Sequence, residues 1–187
     1  MGEIGPDVIV REAAFIHPSA HLYGRVTIGQ GASVWINAAA RAEMHDIVVG
    51  AYSNIQDFVM LHVGFRHGTR IGAYCSITHH ATLHGCVIED HCLIGINATV
   101  MDGCVIGEGS IVAGHTIVSE NTIIPANSVV AGVPGKVIAT RDNLAANRQN
   151  ALFYYRNALN YARGQHLMAD LAAATADLSG HAEPDPS

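Results

Sequence analysis

The segment Ser76–Cys86, SITHHATLHGC, holds three histidines, His79, His80 and His84, within six residues. Imidazole binds divalent metals through either ring nitrogen, and its near-neutral pKa also suits it to moving protons. Such a cluster therefore reads as metal ligands, as a catalytic base, or as histidines that fill a solvated surface. The chain carries 12 His against 10 Lys plus Arg, an excess that asks for a chemical reason. Which role applies depends on where each ring points, and so on the elements that carry it.

Those elements show in a repeat of six. An aliphatic or small residue recurs at Ile16, Leu22, Ile28, Val34 and Ala40, then at Val49, Ile55 and Leu61, and at Ile71, Ile77 and Leu83. It runs on unbroken from Ile88 through Ile94, Val100, Ile106, Val112, Val118 and Ile124 to Val130, often with Gly next to it. A period of six suits neither a helix nor a free strand. It suits short strands folded around a three-sided prism, one hexapeptide per side. The pattern resembles the hexapeptide-repeat proteins over roughly residues 12–138. That resemblance implies an all-β solenoid, a left-handed parallel β-helix, assembled as a homotrimer along the prism axis. Residues 1–138 are then the β-helix domain. Residues 139–176 are a C-terminal helical segment packed on its flank, capped by Asp142 or Asn143, running to about Arg163 and broken near Gly164. A second helical stretch follows, and residues 177–187 are a disordered tail.

Composition excludes several classes. A net charge of −6 without any basic run argues against nucleic acid and acidic membranes as partners. No apolar run reaches 18 residues, and the N-terminal stretch lacks the apolar core of a signal peptide, so the expected location is cytoplasmic. Cys75, Cys86, Cys92 and Cys104 each lie two residues before a repeated aliphatic, a slot otherwise filled by small residues. They read as buried free thiols rather than as disulfides or a zinc knuckle.

Counting hexapeptides around the prism, with loops at 42–48 and 62–70, places Ala40, Leu61 and Leu83 on one face of successive coils. The polar residues that follow them, Arg41, His62 and His84, form a column with spacings of about 4.7–4.9 Å. Two imidazoles in such a column can meet on one ion at about 2 Å. His79 falls on another face above Asp57, beside Gln56, so only a neighbouring subunit can add it to the pair. The step from Leu83 to Ile88 is five residues rather than six, a break in register directly after His84. His80, next to His79 on a strand, should point the opposite way. The competing reading of the three rings is a subunit seam of hydrogen-bonded imidazoles without an ion.

The segments RAE (41–43), NIQD (54–57), LHV (61–63), HHATLHGC (79–86) and AGVPGKVI (131–138) resemble the gamma-class carbonic anhydrases and their relatives. The resemblance implies His62, His79 and His84 as metal ligands shared between subunits. It implies Arg41, Glu43, Gln56 and Asp57 as catalytic residues, with Gln56 orienting the reacting oxygen and Asp57, paired with Arg41, holding the network. Arg41 can equally form a purely structural interface salt bridge with Glu43 or Asp57. The implied reaction is reversible hydration of carbon dioxide to bicarbonate. Zinc is the expected metal, with Fe(II) or Co(II) as alternatives. The loop GFRHGTR holds no carboxylate, which leaves slow turnover or His67 as proton carrier. One of Tyr154, Tyr155 and Tyr161 is implied near the site. Two other readings stay open: an acyl-CoA thioesterase or acyltransferase of the same superfamily, with Lys136 meeting a phosphate, and a non-catalytic metal-binding trimer.

Overall fold

The computed structural model describes residues 2–167. Each hexapeptide forms a strand of two or three residues, and successive strands turn through three faces of a prism, giving a left-handed β-helix. The first face runs from Phe15–Ile16 through Ser33–Val34, Asn54–Ile55, Ser76–Ile77, Leu93–Ile94 and Ile111–Val112 to Ser128–Ala131. The second carries Met60–His62, Thr82–His84, Thr99–Val100 and Ile117–Val118, and the third Thr69–Ile71, Val87–Ile88, Val105–Ile106 and Ile123–Ile124. The longer strands His21–Ile28 and Ala39–Val49 bend from the second face onto the third. These coil-to-coil pairings are parallel, since each coil repeats the direction of the last.

One aliphatic per hexapeptide points inward, so the core is a stack of layers. Leu61, Ile77, Leu83, Ile88, Ile94, Val100 and Ile106 belong to one continuous buried cluster. The four cysteines join it as free thiols.

Between faces the chain turns through left-handed backbone. Two of the corners use aromatic and His or Asn residues there, a conformation that costs roughly 1–2 kcal/mol for an L-residue. Stacking offsets the cost. Tyr52 lies on Tyr74 at 5.1 Å between ring centres and Tyr74 on His91 at 5.3 Å. His80 occupies such a corner at φ 60, its ring stacked on Phe58 at 4.9 Å. It leaves the line of His79 through this corner, and simple strand alternation does not describe it.

The solenoid starts earlier than the hexad shows. Glu3–Ile4 and Ile9–Val10 pair in parallel with His21–Ile28. It ends with an antiparallel partner, Lys136–Thr140 against Ser128–Ala131. The helix Leu144–Ala162 begins where the Leu144 N–H donates to Asp142 Oδ1 at 3.1 Å. It stops at Gly164 (φ 75), where Gly164 and Gln165 N–H groups close onto Tyr161 and Asn160 carbonyls. Its buried side, Asn147, Ala151 and Ala158, lies on the first face. Asn147 donates to the His91 carbonyl at 2.8 Å and Asn150 to Ser76 Oγ at 2.8 Å, while Tyr161 packs on Trp35 at 4.9 Å. The expected second helical stretch and tail lie outside the described residues. Among the described residues no helix is long and apolar enough to cross a membrane.

Candidate metal site

The second face builds the histidine column as the hexad count requires. Arg41 stands opposite His62, and His62 opposite His84, in adjacent parallel strands. Each follows a buried residue, Ala40, Leu61 or Leu83, so each is turned outward. The rings converge, with His62 Nδ1 3.0 Å from His84 Nε2. Two nitrogens on one tetrahedral zinc, each about 2.0–2.1 Å from it, stand about 3.3 Å apart, so the pair fits a shared ion with a shift of tenths of an ångström. The same contact serves as an imidazole–imidazole hydrogen bond when no ion is bound.

The outer nitrogens face carboxylates. His84 Nδ1 donates to Asp102 Oδ2 at 2.6 Å, and His62 Nε2 lies 3.2 Å from Glu43 Oε2. The other oxygen of Glu43 accepts from Arg41 Nη1, so of the two partners open to Arg41 the structure shows Glu43. Desolvation, the largest single influence on it, pushes the Glu43 carboxyl up. Its own backbone N–H, the Arg41 guanidinium and His62 outweigh that and hold it below the ordinary value. Arg41, Glu43, His62 and His84 line a hollow of about 240 Å³. Met44 and Phe65, 53% and 89% exposed, make its apolar rim.

His79 is elsewhere. It follows Ser76–Ile77 on the first face, and its Nδ1 donates to Asp57 Oδ2 at 2.8 Å, which leaves Nε2 for a ligand. Among the described residues no three His, Cys, Asp or Glu side chains of one chain converge on a metal position. Gln56, also on the first face, is 1% exposed and donates to Asn54 Oδ1 at 2.9 Å. The chain thus carries a two-imidazole half on one face and a His79–Asp57 half on another. Within a single chain Asp57 pairs with His79, not with Arg41.

Of the three tyrosines, Tyr154 lies within electrostatic reach of Asp57. Its phenol is pushed up by burial and then by that carboxylate. Tyr155 and Tyr161 pack on Tyr52 and Trp35. His67 lines a separate hollow of about 350 Å³ with Arg66 and Arg70, not the one lined by the histidine pair. Lys136 is exposed in the closing hairpin. Asp102 was not among the expected site residues. Its signal was an acid one place past the histidine column, in the coil that follows His84.

The architecture and site define a hexapeptide-repeat β-helix protein with a paired-histidine column. Residues 85–120 match the family model described as bacterial transferase hexapeptide (six repeats). A protein of Methanocaldococcus jannaschii named probable carbonic anhydrase is 50% identical over 143 residues, covering 75% of this chain and 90% of that one. The mitochondrial gamma carbonic anhydrase 1 of Arabidopsis thaliana is 43% identical over 101 residues, 51% of this chain but 37% of the relative. A solved hexapeptide transferase family protein from Anaplasma phagocytophilum superposes with a TM-score of 0.74 at 30% identity, over 84% of this chain and 92% of its own. The chain belongs to the gamma-class carbonic anhydrase family of hexapeptide-repeat proteins.

Proposed function

We propose that the protein is a metal-dependent, carbonic anhydrase-like enzyme that hydrates carbon dioxide reversibly at the seams of a homotrimer. His62 and His84 of one subunit and His79 of the next would hold the ion. The observation that carries this reading is the 3.0 Å approach of His62 Nδ1 to His84 Nε2, with the third histidine on a different face of the chain. A bound divalent ion would supply Lewis acidity, lowering the pKa of water toward neutrality. Zinc is the first choice for three neutral imidazoles, with Fe(II) or Co(II) also suited.

The chain's own residues hold and orient. Asp57 fixes His79 through Nδ1, and Glu43 with Arg41 braces the outer side of His62. Met44 and Phe65 offer an apolar wall that suits a small apolar substrate. Gln56 stands behind Asp57 on the first face and comes to the reacting oxygen only through the assembled seam. Each hydration releases one proton. Glu43 is the acid that lines the hollow beside the pair, and its lowered pKa makes it a weak acceptor near neutrality. Turnover therefore depends on external buffer. The four buried free thiols suit a reducing, cytoplasmic setting.

Metal analysis with stopped-flow hydration on wild type and His84→Ala tests the reading. Wild type should carry about one ion per chain and hydrate carbon dioxide, and the variant should lose both. The likeness to a transferase-family structure keeps acyl-CoA chemistry as the competing outcome. Metal retained with acyl-CoA hydrolysis and no hydration would establish that instead.

A further inference from the structure

Two imidazoles leave Nε2 for a ligand, and both are held through Nδ1 by a carboxylate of a neighbouring coil: His79 by Asp57 at 2.8 Å and His84 by Asp102 at 2.6 Å. Leu83 pairs with Val100, so Met101 falls in line with His84 and Asp102 lies at the corner just beyond. A corner side chain reaches back to the ring only if the corners below leave room. Two glycines make that room. A Cβ on Gly64 would overlap Asp102 Oδ1, and one on Gly85 would stand 2.5 Å from the same oxygen. Gly85, at φ 59, sits inside the five-residue step between Leu83 and Ile88. The lost residue of the repeat and the slot for Asp102 coincide.

We propose that Asp102 is the positioning residue of His84, seated in a slot formed by Gly64 and Gly85, and that it fixes which nitrogen the ring presents to the metal seam. A carboxylate only accepts, so the ring must place its proton on Nδ1, leaving the Nε2 lone pair toward His62. The Asp102 main chain is tied separately, its carbonyl accepting from the Asn121 N–H at 2.8 Å, so a side-chain change need not disturb the coil. The inference rests on the metal-site reading above, but its first readout does not need the ion.

Histidine-selective nitrogen-15 NMR on the full-length protein after chelation reads the tautomer of each ring. In wild type His84 should be protonated on Nδ1, and in Asp102→Ala this preference should be lost while the His79 signal stays unchanged. Zinc affinity, measured by chelator competition, should fall about 10–100-fold in Asp102→Ala and less in the isosteric Asp102→Asn, whose amide oxygen can still accept. Gly64→Ala should reproduce the loss without touching either polar group. A wild-type His84 protonated on Nε2, or a tautomer and zinc affinity unmoved in all three variants, overturns the proposal. If wild type binds no zinc at all, the metal reading falls and the tautomer measurement still decides the role of Asp102.

Discussion

A site split between faces makes a quantitative prediction about mixed assemblies. His79→Ala leaves a chain with an intact His62–His84 pair, and His84→Ala leaves one with an intact His79–Asp57 half. Each variant alone should have no complete seam. In the proposed closed ring of three, every seam would take its pair from one subunit and its third histidine from the next. When the variants are co-expressed at equal levels and assort at random, half the seams receive a competent pair. Half of those meet a competent His79, so about 25% of sites are whole. Zinc content and hydration rate should therefore rise from near zero to about a quarter of wild type in the whole population, and to about a third in mixed trimers isolated with two different tags. The assignment of the third ligand to a neighbour fails if the mixture recovers nothing. It fails equally if either single variant keeps a full complement of zinc.

Two further outcomes follow from the core. Leu83 is fully buried next to His84, and Leu83→Ala should cost about 2–5 kcal/mol, read as a lower denaturation midpoint. A loss below about 0.5 kcal/mol would mean that the layered core does not support the column. Burial pushes the thiols of Cys75, Cys86 and Cys104 up. Above the free-thiol value of about 8.5 the unfolded chain sheds protons that the native chain keeps, so stability should be full below that pH and decline as pH rises beyond it. Denaturation at pH 7.5 and 10 checks the slope. A thiol reagent at pH 8 should find no fast-reacting cysteine until denaturant is added.

The hexad made most of the fold legible because it records one inward residue per face. Ile16 to Val130 could be placed on faces from spacing alone, and from them the outward column Arg41, His62 and His84 followed. The rest depends on contacts that a hydrophobic period does not encode. In the first coil Ile4, Ile9 and Val10 are exposed, so its strands lack the inward aliphatic that marks the others. His80 turns a corner by its φ angle, which is backbone information. Asp102 reaches His84 across a coil through space left by two glycines, and only the position of those glycines in three dimensions shows that the space exists.

The proposed division of the site between chains would have a geometric cause in the fold itself. A parallel face presents its outward residues in straight columns, one coil apart at about 4.8 Å. Two neighbours in a column can lean together until their nitrogens are 3.0 Å apart, as His62 and His84 do. The third member, Arg41, starts about 9.6 Å from His84, two coils away. A histidine there would have to span that distance and still approach from off the line, because tetrahedral ligands cannot be collinear. A flat column lacks that direction. A residue on another face of the same prism has it, but points away from the pair. An identical prism set alongside, at the right rotation, brings that face to the pair. In the proposed seam Asp57 and Asp102 would act alike on its two sides, each holding its imidazole within its own chain, so that little ordering would remain when an ion binds.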